Sequence, residues 1–529
     1  MAVESSSVSK YDRQIRVWGR HGQEALHSAR VCVLGTHMAV LEAAKNLALA
    51  GISSLVIVDD TSIVASDVQT NYFVTGSGRE YIGEAAVETL IRMNPDITIE
   101  WIHADPRSYV VSDGALAGVD VAILEDDATL VTHLDQAGVR SISVQTNGFF
   151  GYIKPRGKAH VVLEPNRPTP LDLQLKHAWP ELIAFLESQP TDVEEEDDFL
   201  RIPSIVFLHK ALTAFEQQHG QSPSHPDMAA LRTMLQGFHR DWSEINVEEA
   251  LTMVNTQLLK PATPSFPAIL HHQTVDALVR KTGFVFGPGV DDKEVLFWTF
   301  AAALKAFMAR NHRVPVTGKI PDMHGSTEIY VNLQRIYQRR AASDRAELHA
   351  DMVQIAQSCG DSDRIRDVVA DMDQEILTLL VKNASNLTVV SFSSSVDVDP
   401  KQLAKGGVTP TVGQQAILWA SSREFESHMG HVPGLSAVES DVVGLSKIVN
   451  SIVERAVGES PSDSPCMPSN QMIREFVIGG HCELAPTCSV LGGIMAQEAV
   501  KLLTSQFVPF GGQLFYYGSP EAPVMDVIE

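Results

Sequence analysis

The chain has 529 residues, 44% of them apolar, and its 65 acidic against 41 basic residues give a formal charge of -24. That size suits roughly two to four domains and excludes wholesale disorder. The acidic balance excludes a general nucleic-acid binder, which needs basic surface to displace counterions. Five cysteines, at 32, 359, 466, 482 and 488, form no Cys-x-x-Cys pair and no zinc-type spacing, so neither a disulfide framework nor a structural metal is expected. No apolar signal segment opens the sequence and no run of about eighteen apolar residues occurs, so a soluble intracellular protein is expected.

The first clear pattern runs from Lys10 to Asp60. Apolar β-branched residues predict a strand over Val31–Leu34, then a loop over Gly35–Met38. A helix over Ala39–Leu49, a glycine stop at Gly51 and a strand over Leu55–Val58 follow, ending on Asp59. This is the opening βαβ unit of a dinucleotide-binding sheet, with Asp59 at the spacing of a ribose contact. An intact phosphate loop has three glycines, for the tight turn, for backbone approach to phosphate and for helix packing. Only Gly35 is present; His37 and Val40 stand at the second and third positions. Histidine would fill the phosphate's space and valine would crowd the helix start, so the sheet is expected to be kept and the ATP site lost.

A helix over Ile82–Met93, strands over Thr98–Ile102 and Val119–Leu124, a helix over Thr129–Ala137 and a strand over Ser141–Gln145 continue the alternation. The turn Gly148–Tyr152 leads to a strand over Ala159–Leu163, and the whole predicts a parallel sheet with helices on both faces. After Pro165 helical periods dominate to about Cys359. There the acidic run Asp192–Asp198 reads as a solvated loop, and Leu296, Phe300, Ala303 and Phe307 as a core stripe rather than a cofactor box. From residue 361 to 470 helices alternate with short strands such as Val389–Phe392, closing in a Ser/Pro-rich loop over Glu459–Ser469. A closing helix and a last strand, Gln513–Tyr517, complete the chain.

Several words identify a family. Tyr11-Asp12-Arg13-Gln14 before Trp18-Gly19, with Lys45-Asn46-Leu47-Ala48-Leu49 in the first helix, resembles the activating enzymes of ubiquitin-like modifiers. So does Leu491-Gly492-Gly493 leading into Ala496-Gln497-Glu498-Ala499-Val500-Lys501. Asp172-Leu173-Gln174-Leu175, Pro180-Glu181-Leu182 and the stretch Val314–Met323 resemble the regulatory subunits of neddylation-activating heterodimers. The resemblance implies an α/β fold, a doubly wound, Rossmann-like pseudo-adenylation domain of ThiF/MoeB type interrupted by a large, mainly helical insertion. Its boundaries are expected at residues 1–164 and 476–529 for the domain and 165–475 for the insertion, which would be like a catalytic-cysteine domain without the cysteine. The resemblance further implies a cytoplasmic and nuclear protein, obligately paired with a catalytic subunit that uses MgATP. A Nedd/Rub-type modifier and, indirectly, its conjugating enzyme would be further partners, with neither nucleic acid nor membrane involved.

Set against the active subunits' pattern Asp-x-Asp then Ser-x-Leu-Asn-Arg-Gln, Asp59 is kept, the second acid is Thr61 and the phosphate-binding arginine is Thr70. The following lysine lines up with Ile82. Without that fixed positive charge, triphosphate chemistry loses its stabilisation. No cysteine sits in a nucleophile word; Cys488, with His481 and Lys501 as local bases or charges, is the nearest to one, and a small inert thiol is the reading favoured for all five. His481-Cys482-Glu483 could suggest a metal, but consecutive residues point in different directions and none is expected. No cofactor is expected on this chain. The resemblance assigns one catalytic contribution, Arg13, delivered in trans to the partner's ATP site, where a forked, permanently charged guanidinium suits phosphate oxygens. The plainer alternative is a surface salt bridge from Arg13 to Asp12 or another acid on the same helix. At the level of the whole protein, the alternatives are a scaffold that keeps the fold only as a surface, and a self-standing nucleotide-dependent enzyme.

Overall fold

In the computed structural model the first helix, α1 (Asp12–Ser28), is broken at Gly19, whose φ of 70° and ψ of 177° split it into an arm and a second segment. The described residues are 10–74, 76, 78–167, 171–240, 244–258, 268–280, 284–286, 290–360, 362–392, 409–457, 464–518 and 524–528. They fall into two compact units, residues 1–160 with 389–529, and residues 161–388.

In the first unit β1 (Arg30–Leu34), α2 (Met38–Ala50) and β2 (Ser54–Val58) form the expected βαβ. Val31 and Val33 face one core while Cys32 and Leu34 face the other, the period of two that a strand buried on both sides requires. A short helix α3 (Ala65–Thr70), α4 (Ile82–Met93), β3 (Thr98–Ile102), β4 (Val121–Glu125), α5 (Ala128–Ala137), β5 (Arg140–Asn147) and β6 (Phe150–Arg156) follow.

The second unit is helical around its own apolar core, with α6 (Ser204–His219), α7 (Ile245–Gln257), α8 (Asp292–Asn311) and α9 (Thr327–Ser358) as its longest elements. Leu296, Phe300, Ala303 and Phe307 of α8 are buried, as a core stripe should be. The acidic run is exposed and ends in the short helix Glu196–Leu200.

The chain returns to the first unit through α10 (Pro410–Met429), α11 (Asn470–Gly479), α12 (Ala485–Thr504), β7 (Gln513–Tyr517) and β8 (Val524–Ile528). The eight strands run in the order β8-β7-β6-β5-β4-β1-β2-β3. Three expectations are corrected. The sheet is mixed: β3, β2, β1, β4 and β5 are parallel, whereas β6, β7 and β8 are antiparallel, because the two-residue turn Gly148-Phe149 reverses the chain and a parallel return needs a longer crossover. A further strand, β8, follows the one expected to be last. The insertion ends at residue 388 rather than 475, because Trp419 and Phe425 of α10 and Phe476 of α11 share a core with Phe150, Tyr152 and Phe515 of the sheet.

The strand expected at Val389–Phe392 is Thr388–Val390. Residues 459–463 of the Ser/Pro-rich stretch lie outside the described residues. Among the described residues, no helix is long and apolar enough to cross a membrane.

The closing helix α12 lies on α2 through Gly492. A Cβ there would stand 2.5 Å from the Glu42 Cβ and 2.6 Å from the Ala39 carbonyl oxygen, whereas at Gly493 it would meet nothing within 4 Å. These neighbours therefore predict opposite signs. Gly492→Ala destabilises by about 1–3 kcal/mol because backbone has to move. Gly493→Ala stabilises by about 0.5–1 kcal/mol through helix propensity. Urea midpoints of the two variants moving in the same direction would contradict this packing.

Candidate functional site

The carboxyl ends of β1, β2 and β4 and the start of α2 open on a cavity of about 620 Å³, where ligands sit in open α/β sheets. The N–H groups of a helix start and its positive dipole end would ordinarily receive phosphate there. Here the protein supplies its own acceptors. The His37 Nδ1 takes the Ala39 N–H at 3.1 Å, and the Glu483 carboxylate takes the Met38 N–H at 2.6 Å. Because Nδ1 accepts, the proton of the neutral ring is on Nε2, 2.9 Å from the Thr146 hydroxyl. Glu483 comes from the loop before α12 and thus places an internal anion at the phosphate's position.

Asp59 is buried at the end of β2 and receives the hydroxyls of Thr36 at 2.9 Å and Thr61 at 2.8 Å, with the Gly83 N–H at 3.3 Å. Burial raises its pKa against the lowering effect of these hydrogen bonds. Thr61, in the second acid's position, thus occupies the carboxylate expected to meet a ribose. Thr70 is exposed and donates to the Ser66 carbonyl, and Ile82 is buried at the start of α4. The cavity wall carries eight carboxylates, those of Asp59, Asp60, Asp105, Glu125, Asp126, Asp127, Glu426 and Glu483. Among the described residues its one arginine, Arg107, is paired with Asp127 at 2.5 Å, and no lysine lines it. With its amides taken and its walls acidic, this crevice does not fit a triphosphate.

His37, Glu483 and Cys488 have potential metal-ligand atoms within 4.8 Å of one another. They fit a metal poorly, because Nδ1 of His37 is occupied and Nε2 carries the proton. Burial pushes the Cys488 thiol up to about 12, and Cys32 likewise, so neither supplies thiolate near neutrality. The groups around Cys488 are His37, Glu483 and Thr146; Lys501, expected as a local charge, pairs instead with Glu498 at 2.5 Å. Cys359 and Cys466 are buried and Cys482 is exposed.

Burial also lowers the His37 pKa. Its neutral ring is fully accommodated above the unfolded value of about 6.5, and as pH falls below that the unfolded chain takes up the proton first. Wild type should therefore lose stability relative to His37→Asn between about pH 7 and pH 5, by up to ~1.4 kcal/mol per pH unit. Parallel stability curves would mean that His37 is not held neutral.

Arg13 lies on the exposed side of α1. Among the described residues it has no ion pair; the Asp12 carboxylate is held by Arg16 at 2.8 Å, and the expected alternative of a salt bridge from Arg13 to an acid of its own helix is not formed. The arm carrying it is anchored at both ends. Tyr11 is buried, its hydroxyl accepts from Asn94 Nδ2 at 3.1 Å, and its ring would be 2.7 Å from a Cβ at Gly51. Gly51 also has φ +85° as the left-handed cap of α2, so glycine is required there twice over. At the far end Trp18 packs on the core and its carbonyl accepts from Gln506 at 2.7 Å.

Thr146 was not foreseen as a site residue, and Glu483 was named only in the His481-Cys482-Glu483 word, not as the cap of α2. Glu483 lies 445 positions from the amide it caps, and no local pattern marks such a pairing.

The ThiF family model matches residues 11–524, and the chain belongs to that family. Within it, the chain is 29% identical to the NEDD8-activating enzyme E1 regulatory subunit of Xenopus laevis, over 96% of each chain. It is 29% identical to that of Danio rerio over 97% of each. With the NEDD8-activating enzyme E1 regulatory subunit AXL of Arabidopsis thaliana it shares 27% identity, over 96% of this chain and 97% of the relative. The resemblance carried by the opening, central and closing words thus extends from end to end.

Proposed function

We propose that the chain is the non-catalytic regulatory subunit of a heterodimeric activating enzyme for a NEDD8-type modifier. The observation that carries this reading is a crevice that keeps the adenylation architecture while His37 and Glu483 occupy its phosphate-binding amides. End-to-end similarity to proteins named as regulatory subunits supports it, as does an exposed Arg13 on an anchored arm. In this reading the chain binds no nucleotide. The catalytic subunit holds MgATP and carries the thioester cysteine, while Arg13 reaches its ATP site. There the guanidinium balances charge on the phosphate oxygens as the modifier carboxylate attacks and pyrophosphate leaves.

The test is modifier-dependent ATP–pyrophosphate exchange by this chain alone, and by this chain mixed with its catalytic subunit. Exchange is expected only from the mixture, with no ATP retained by the isolated chain and the modifier thioester found on the partner. Exchange by the isolated chain, or a thioester on one of its own cysteines, would overturn the assignment.

A further inference from the structure

The stretches Asp172–Leu175 and Val314–Met323 take no part in the acidic crevice; within the helical unit they meet at a separate cavity of about 270 Å³. Residues Val381–Ser385, at the end of the helix Gln374–Lys382, complete its lining. Leu171, Val316, Val381 and Ala384 make the lining apolar, and two deeply buried amides stand among them. Gln174 is 5% exposed and its backbone N–H donates to Asp172 Oδ1 at 2.8 Å, but its side-chain amide has no hydrogen-bond partner among the described residues, and neither amide atom is sealed from accessible space. Asn383, also 5% exposed, donates from Nδ2 to the Leu379 carbonyl at 3.0 Å and leaves Oδ1 open in the same way. Buried amide groups left unmatched are unfavourable, so these two favour a ligand that brings both an acceptor and a donor. A trans amide does so, with C=O and N–H on opposite sides. The charges set the rest. In a chain of formal charge -24, the described lining carries Arg167, Lys319 and Lys382 against the single carboxylate of Asp172. Lys382 is held by Glu164 at 2.8 Å, whereas the exposed Lys319 is in no ion pair among the described residues. An amide, a short apolar group and one carboxylate together make an N-acylated apolar amino acid, and the cavity lies just under the ~300 Å³ at which sites for drug-sized ligands begin.

We propose that this cavity binds a small N-acyl amino-acid carboxylate, either free or as the C-terminal residue of a polypeptide. Its amide carbonyl accepts from Gln174 Nε2 and its N–H donates to Asn383 Oδ1, while its side chain lies against Val316 and Val381 and its carboxylate faces Lys319. This goes beyond the regulatory-subunit reading and is tested apart from it, since binding is measured on the full-length chain without ATP or catalytic subunit.

The probe is N-acetylvaline, titrated into the full-length chain and followed by ligand-observed saturation-transfer NMR, and it should bind in the millimolar range or more tightly. N-acetylvaline amide, which lacks the carboxylate, should bind about threefold more weakly. The ester analogue with oxygen in place of the amide N–H should bind about fivefold more weakly. Gln174→Met keeps the length of the side chain but removes both hydrogen-bonding groups, and should weaken binding by about fivefold or more. Lys319→Gln, at an exposed position, should abolish the preference for N-acetylvaline over its amide, and this arm stands should Gln174→Met fail to fold. A capped peptide ending in a free valine carboxylate separates the two sources. Its binding indicates a polypeptide terminus and its exclusion a free ligand, and either supports the site as long as N-acetylvaline binds. The proposal is overturned by no saturation transfer at tens of millimolar, by the ester binding as well as the amide, or by Lys319→Gln keeping the full preference for the carboxylate. Affinity left unchanged by Gln174→Met would overturn it equally.

Discussion

Arg13→Ala should slow modifier adenylation by the reconstituted pair by about 10²- to 10³-fold and leave the pair assembled. That magnitude corresponds to removing one fixed cation from a site of developing charge, about 3–4 kcal/mol of transition-state stabilisation. The chain itself should hardly notice. Arg13 is exposed and has no ion pair among the described residues, so its removal should change stability by less than about 0.5 kcal/mol. The loss should fall on kcat more than on KM for ATP, because the guanidinium acts on charge that appears during transfer. Arg13→Lys should recover only part of the rate, since an ammonium keeps the charge without the two-pronged geometry. Arg16→Ala, which removes a pairing with Asp12 on the same helix, serves as the control and should leave the rate unchanged. Equal rates for Arg13→Ala and wild type would favour a scaffold that keeps the fold only as a surface.

The second large effect belongs to the helical unit. Asp344 on α9 is fully buried, receives Arg313 through two hydrogen bonds, at 2.6 and 2.7 Å, and the Val316 N–H at 2.9 Å, and lies in ion-pair contact with Arg340 at 2.9 Å. Arg313 is itself 3% exposed. Asp344→Ala would strand a buried guanidinium and an orphaned amide, and should destabilise this unit by about 3–5 kcal/mol. Asp344→Asn keeps the shape but loses the charge, and should recover little. Replacing both partners, Asp344→Leu with Arg313→Met, should recover most of the loss, because no unpaired charge is left behind. The readout is the urea midpoint, with limited proteolysis within residues 161–388 as a local check. A single Asp344→Ala as stable as wild type would show that the pair is not a support of this unit.

Asp344 also explains why the Val314–Met323 word was recognisable while its purpose was not. The stretch begins at a loop whose backbone is held by a carboxylate about thirty residues downstream, and nothing within the word names that carboxylate. Much else was legible because its cause is local. The helix Ile82–Met93 and the strands Thr98–Ile102 and Gln513–Tyr517 match their expected limits, since apolar periodicity and the adjoining turn residues are contiguous in the chain. Loss of the phosphate loop was legible for the same reason: replacement of two glycines by His37 and Val40 is a change within six residues.

The amino-acid order alone therefore determined the βαβ opening, the degraded phosphate loop and the family, because each rests on side chains a few positions apart. Only the tertiary structure decided that β6, β7 and β8 run antiparallel, that α10 and α11 belong to the sheet's core, that Glu483 stands at the start of α2, and that Arg13 is not paired with Asp12. The physical reason is common to all four. Burial pattern records that a side chain must find a partner, but the partner is chosen by backbone geometry over hundreds of residues, and that choice leaves no local mark.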